Sequence, residues 1–363
     1  LFPYTTLFRS VQCTGILFFC LSPVGMGRIA CLNFTHLAHA RYNRPFHPFH
    51  ALMQVLFGEQ AGTAGRIAEA QLPCALTIGN FDGVHLGHQA ILRDLREEAD
   101  RRDLPTALLT FEPHPRELFA RNNPPARLMT LRDKLDFLAS TGLVDRVHVL
   151  RFNHGLASLA PEVFIYRILH RLLHARFLLI GDDFRFGARR AGDFSTLAAL
   201  PDIEVRAMST VEIDGRRASS SLLRDALGAG QLDTAARLLG RPYQISGRVV
   251  HGRQLGRRLG FPTANICLPF KRPALQGVFA VECNTPAGTF MGAASLGRNP
   301  TVETGGRYKL EVYLLDFTGD LYGQRVTVRF MAKLRDEAKY DSLDALVSQI
   351  HADVAATRRL LAH

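Results

Sequence analysis

The chain has 363 residues, 47% of them hydrophobic and 21% charged, which excludes wholesale disorder, a coiled coil and a collagen-like fibre. That length predicts two domains of about 150 residues, each able to bury its own core. The formal charge of +11, from 44 basic and 33 acidic residues, suits polyanionic small molecules. With only five lysines and no long Lys/Arg run, a nucleic-acid-binding tail is not expected.

The six cysteines, Cys13, Cys20, Cys31, Cys74, Cys267 and Cys283, form no CxxC pair. Neither a disulfide scaffold nor a zinc site is expected, and a reducing, cytoplasmic setting fits. The first sixty residues lack any sustained period and crowd aromatics with prolines, as in Arg44-Pro45-Phe46-His47-Pro48-Phe49-His50. The apolar run 15–21, with Arg9 before it, matches a signal-peptide core in length but is too short to span a bilayer. Residues 1–60 are therefore read as a non-native or disordered extension, with a targeting signal as the alternative. No later run reaches spanning length, so a soluble protein with no membrane partner is expected.

From Cys74 the pattern becomes regular. Apolar runs at 75–81, 106–111, 146–152, 175–181 and 202–208 alternate with segments of helical spacing. This predicts a mostly parallel sheet covered by helices, with ligands at the carboxyl ends of the strands. The first run, Ala75-Leu76-Thr77-Ile78, leads through Gly79-Asn80-Phe81-Asp82-Gly83-Val84-His85-Leu86-Gly87-His88 into a helix over about 86–102. Gly79 and Gly83 permit a tight strand-to-helix turn, and the helix start offers N–H groups to a phosphate. His85 and His88, three apart, project from one face of that first turn, where two donors could stabilise charge at an attacked phosphorus. No GxGxxG follows a strand and no GxxxxGK-Ser/Thr run occurs, so dinucleotide-binding and Walker-type sites are excluded.

GNFDGVHLGH resembles the HxGH signature of nucleotidylyltransferases, in the form carried by bacterial FAD synthetases. Further segments match in order: Phe111-Glu112-Pro113-His114-Pro115, then Ile180-Gly181-Asp182-Asp183-Phe184-Arg185-Phe186-Gly187, then Ser219-Ser220-Ser221-Leu222-Leu223-Arg224. The last resembles an SSTxxR motif, with Ser221 in place of Thr and Leu222 where Arg is common. The resemblance implies a Rossmann-like α/β domain over 61–240. In it His85, His88 and Arg224 would be catalytic, and Gly79, Phe81, Asp82, Gly83, Ser220 and Ser221 would bind nucleotide. Pro113, His114, Pro115, Asp182 and Phe184 would face the flavin. Consecutive hydroxyls before a helix also have their own logic, since they cap it and hydrogen-bond phosphates.

Past Gly240-Arg241-Pro242-Tyr243 the helical spacing of 222–239 stops. Short β-like runs follow at about 244–251, 277–283, 290–296, 309–317 and 324–333, which predicts a compact antiparallel barrel over 241–363. A closing helix over about 341–362 places Leu343, Leu346, Val347 and Ile350 on one face. Between the first two runs, Gly252 and Gly256 could wrap a phosphate, while Thr263 and Asn265 supply neutral oxygens suited to Mg2+. Glu311 could orient an attacking hydroxyl and take its proton.

GRVVHG followed by GRRLGFPTANI resembles the riboflavin kinase signature, and Leu296-Gly297-Arg298-Asn299-Pro300-Thr301 and the runs 310–323 and 334–350 resemble later parts of that family. The resemblance implies that Thr263 and Asn265 bind Mg2+ and ATP phosphates and that Glu311 is the base. The two resemblances together span about 74–350. They imply a bifunctional flavokinase/FAD synthetase that uses ATP and Mg2+ to convert riboflavin to FMN and FMN to FAD, with small-molecule partners and no nucleic acid. The sequence leaves its oligomeric state open. The alternatives are an HxGH nucleotidylyltransferase acting on another phosphorylated acceptor, and an RNA-binding protein on a tRNA-synthetase-like core.

Overall fold

A computed structural model describes residues 53–58, 72–120, 124–181, 183–208, 210–252, 254–268, 272–298 and 308–361. Within them the chain forms two compact units. The first takes in residues up to Asn80, Leu92–Leu118 and Ala139–Met208; the second takes in Phe81–Ile91, Phe119–Leu138 and the chain from Ser209 onward.

The first unit is built on six strands: β1 (Gln54–Phe57), β2 (Cys74–Ile78), β3 (Thr106–Glu112), β4 (Arg146–Arg151), β5 (Ala175–Ile180) and β6 (Glu204–Ala207). Their order is β1-β4-β3-β2-β5-β6, and every pairing is parallel. All five residues of β2 are buried, as a central parallel strand covered on both faces requires. The core gathers Leu76, Leu109, Leu178 and Ile180 with Ile168 and Leu169, which belong to a π-helix, Ile165–Leu172. Strand β1 lies within the span 1–60 that was set apart as an extension. Gln54–Phe57 pairs residue for residue with Arg146–Val149, with Val55 fully buried, so the sheet starts before residue 61. The rest of that extension lies outside the described residues, apart from Met53 and Gly58 at its ends.

Helix α1 (Leu86–Arg101) follows β2, and α2 (Leu131–Thr141) precedes β4. The division between the units falls within both helices. The last segment of the second unit begins with a hairpin, β7 (Glu212–Ile213) and β8 (Arg216–Arg217), that was not anticipated. Its turn residues Asp214 and Gly215 both have positive φ, the geometry that favours Asp-Gly.

The helical segment 222–239 is two helices rather than one: α3 (Ser220–Gly228) and α4 (Leu232–Leu239), separated at Gly230, whose φ is 72°. Beyond them β9 (Gln244–Val250), β10 (Thr263–Ile266), β11 (Gly277–Thr285), β12 (Gly288–Arg298), β13 (Tyr308–Leu314) and β14 (Arg325–Arg335) close an antiparallel barrel, in the order β10-β13-β12-β11-β14-β9. The barrel has one strand more than the sequence runs suggested, because the Pro-Thr-Ala-Asn segment forms β10 instead of a loop. Its interior joins Phe279, Val281, Leu310, Val312 and Phe330 to Leu223, Leu227, Ala235 and Leu238 of the two helices.

Helix α5 (Leu343–Leu361) packs against β11, β12 and β14. Its covered face runs through Leu346, Ile350, Asp353 and Thr357 at helical spacing. Leu343, expected on that face, is 58% exposed at the helix start.

Candidate active sites

The segment between β2 and α1 has positive φ at Phe81 (46°), Gly83 (91°) and Val84 (40°). Gly83 adopts this conformation at no steric cost, whereas a β-branched residue such as Val84 does so only under constraint. The turn delivers three rings to the first turn of α1. Phe81 stacks on His88 with centroids 4.5 Å apart, and His88 stacks on His85 at 3.7 Å. Such close imidazoles need the glycine between them, since a Cβ on Gly87 would lie 3.1 Å from His85 Nδ1 and from the Ala218 carbonyl.

The His88 N–H donates to His85 Nδ1 at 3.4 Å, so the neutral His85 ring carries its proton on Nε2. Burial, with Arg224, Arg241 and Arg217 nearby, pushes His85 down to about 4. Burial, His85 and Lys134 hold His88 well below the imidazole range. Both rings are therefore neutral at pH 7. His88 Nδ1 is buried with no hydrogen-bond partner among the described residues.

Ser219 caps α3, its hydroxyl accepting from the Leu222 N–H at 3.2 Å. The Ser220 hydroxyl donates to the Asp82 carbonyl at 2.8 Å, while Ser221 lies exposed in the first turn. Arg224 is committed within the protein. It ion-pairs with Asp82, which is 1% exposed, and its Nε donates to the Ala126 carbonyl at 2.7 Å. Asp82, expected to meet nucleotide, is thus buried beneath the turn as the partner of Arg224.

The remaining residues of this set lie in the first unit. The Gly79 N–H donates to the Leu109 carbonyl at 3.0 Å, continuing the sheet past β2. Pro113, His114 and Pro115 follow β3; His114 is buried, and its Nδ1 accepts from the Arg116 N–H at 3.1 Å. Phe184 stacks on Phe186 with centroids 5.7 Å apart, and Asp182 lies outside the described residues.

The barrel carries a second site on its outer face. In β13, Leu310, Val312 and Leu314 point inward, while Glu311 and Tyr313 face outward. Register places Asn265 and Ser295 directly opposite Glu311 on its two neighbouring strands, and Thr263 opposite Tyr313. Thr263, Ser295, Glu311 and Tyr313 line a cleft of about 280 Å3 that reaches Leu346 and Ile350 of α5. Gly256 lines it too, and Gly252 leaves room for the Asn265 amide, because a Cβ there would sit 2.5 Å from Asn265 Cγ. Phe261 anchors this segment, edge-on to both Tyr313 and His351 at 5.3 and 4.9 Å. Asn299, Pro300 and Thr301 lie outside the described residues.

Two features of the cleft were not read from the sequence. Glu337 accepts from the Ser295 hydroxyl at 3.0 Å, and its carboxyl is raised by burial, with Glu311 adding to the shift. Arg335 forms a two-pronged pair with Asp353 of α5, Nε to Oδ1 at 3.0 Å and Nη2 to Oδ2 at 2.8 Å. The visible signal for the latter was an acidic residue on the covered stripe of a helix.

Comparison with known proteins matches the chain to two family models. Residues 67–222 match the family model for FAD synthetase, and residues 239–361 match that for riboflavin kinase. The chain is similar to the bifunctional riboflavin kinase/FMN adenylyltransferase of Pseudomonas fluorescens, 49% identical over 292 residues, covering 80% of this chain and 93% of that protein. It is 47% identical to the protein of that description in Haemophilus influenzae, over 78% of this chain and 93% of the relative. Among solved structures, a macrolide-efflux protein from Streptococcus pneumoniae superposes with a TM-score of 0.68 at 29% identity, covering 84% of this chain and 98% of that one. Among the described residues here, no helix is long and apolar enough to cross a membrane.

Proposed function

The chain belongs to the bifunctional riboflavin kinase/FMN adenylyltransferase family, and from that membership we propose that each reaction is performed by its own set of residues. The enzyme phosphorylates riboflavin with ATP to give FMN, then adenylylates FMN with ATP to give FAD and pyrophosphate. The observation that carries the assignment is that the imidazole pair sits at the start of α1, His85 just before it and His88 in its first turn, while the cleft carboxylate stands on β13.

In the kinase step, Glu311 takes the proton of the riboflavin 5′-hydroxyl as its oxygen attacks the γ-phosphorus of ATP, and ADP departs. Thr263 lines the cleft with a neutral hydroxyl, and Asn265 stands opposite Glu311 on β10; both offer the oxygen ligands that a hard cation such as Mg2+ takes. Bound with ATP, that ion neutralises phosphate charge.

In the adenylyl step, an FMN phosphate oxygen attacks the α-phosphorus and the bond to the β-phosphate breaks. The neutral rings of His85 and His88 donate N–H bonds to the oxygens on which charge develops, and the start of α1 and the Ser221 hydroxyl add further donors. Arg224 acts through Asp82, holding the turn from below. Gly79, Phe81 and Gly83 shape the nucleotide turn, and Ser220 ties the Asp82 carbonyl to α3. The Pro113-His114-Pro115 segment, Asp182 and Phe184 are assigned to the flavin on the family resemblance.

The adenylyltransferase domain is assigned to 61–240, with β1 added, and the kinase domain to 241–363. Cys74, Cys267 and Cys283 are free thiols, which suits a cytoplasmic enzyme acting on small molecules. Paired variants test the assignment. His88→Ala is expected to accumulate FMN without FAD, and Glu311→Gln to leave riboflavin untouched yet convert supplied FMN to FAD. Loss of both activities in either variant would overturn the division of labour.

A further inference from the structure

Arg241 follows α4 and stands three residues before β9, the first strand of the kinase barrel, and neither reaction described above uses it. Its guanidinium donates to the carbonyls of Gly83 at 2.8 Å, Val84 at 3.2 Å and Leu239 at 3.1 Å. It also lies over the Phe137 ring, 3.7 Å from the centroid. The Gln89 amide donates to the same Val84 and Leu239 carbonyls, at 3.0 and 2.9 Å. Each of these two carbonyls therefore receives two donors.

The segment so held is the one with left-handed backbone at Phe81, Gly83 and Val84. Non-glycine residues stay in that region only where their surroundings over-determine them, and such strain is concentrated at functional sites. The residue after Val84 is His85. A shift of the clamp therefore moves the first imidazole of the stacked pair directly.

We propose that Arg241 is a positioning residue for adenylyl transfer: it locks the Phe81–His85 turn in its strained form and ties that turn to the entry of the kinase barrel. The proposal rests on the assignment of His85 and His88 to the adenylyl step. Arg241 is lowered to about 10 by loss of water around its guanidinium, so it remains charged at neutral pH. The charged groups acting on the histidine pair are Arg217, Arg224 and Arg241 around His85, with Lys134 facing His88.

The test uses full-length protein carrying Arg241→Gln or Arg241→Lys, assayed for FMN adenylylation and riboflavin phosphorylation in parallel, with thermal unfolding as a check. Misplacing a reacting group by about 1 Å costs about 10²-fold in rate. Arg241→Gln is expected to lower the kcat of adenylylation on that scale while kinase turnover stays within about twofold. The acid limb of its adenylylation profile should also move towards higher pH, since a cation that depresses His85 is gone. Arg241→Lys keeps the charge but not the three-carbonyl fork, so the acid limb should stay in place while kcat still falls. Adenylylation at the wild-type rate in both variants would overturn the proposal, and so would equal losses of the two activities. Adenylylation retained in His88→Ala would instead remove the site assignment on which the proposal rests.

Discussion

Arg224 reaches from α3 to Asp82, and the two form an ion pair beneath the turn that carries the imidazoles. Asp82 is 1% exposed, so its carboxylate depends on this partner and not on water. The Ser220 hydroxyl secures the carbonyl of the same residue. A sequence motif that pairs hydroxyls with an arginine thus serves first to build the floor of the site.

Breaking that pair from one side leaves a buried charge uncompensated, which typically costs about 3–5 kcal/mol. Arg224→Met is expected to destabilise the protein on that scale in chemical denaturation, and to slow adenylylation because the turn loosens. Adding Asp82→Asn to it should recover part of the stability, since the stranded charge is then gone. A double variant no more stable than Arg224→Met would show that the pair is not the source of the loss.

The imidazole pair makes stability pH-dependent in a defined window. His85 titrates near 6.5 when unfolded and near 4 when folded, so below 6.5 the unfolded chain binds more protons than the native one. Its contribution is complete above about 6.5 and is lost as pH falls towards 4, at about 1.4 kcal/mol per pH unit at most. His88, held well below the imidazole range by burial, adds in the same direction. Denaturation midpoints measured between pH 7 and 4 should fall less steeply in His85→Gln than in the wild type. Parallel slopes would mean that the folded imidazole titrates normally.

Arg335 and Asp353 fasten α5 over the kinase cleft, and Gln349 adds a bond to Asp353 Oδ1 at 2.9 Å. Asp353→Asn is expected to weaken the docking of Leu343–Leu361, seen as faster amide hydrogen exchange across that helix. Riboflavin phosphorylation should fall while supplied FMN is still converted to FAD. Unchanged exchange together with unchanged kinase turnover would count against this fastening role.

Most of the architecture was legible in the sequence because burial on both faces of a parallel strand leaves uninterrupted apolar runs. Ala75–Ile78 and Phe177–Ile180 are of that kind. Strand β10 was missed because Thr263-Ala264-Asn265 carries the polar groups of a site where alternation would normally show. The break between α3 and α4 had a visible signal in Gly228 and Gly230, and the hairpin had one in Asp214-Gly215. At the sites, the motif residues His85, His88, Thr263, Asn265 and Glu311 could be singled out because chemistry restricts residue type at fixed spacing. Arg241 and Glu337 could not. Each works through a contact distant in sequence, as when Arg241 meets Gly83 158 positions away.

The central claim, that one chain runs two successive transfers on a flavin, is tested most directly by product analysis. Purified protein is incubated with riboflavin, ATP and Mg2+, and the flavins are separated by chromatography with fluorescence detection. The account predicts FMN first and FAD after it, with FAD also formed when FMN replaces riboflavin in the same mixture. No flavin product from either starting compound would contradict it.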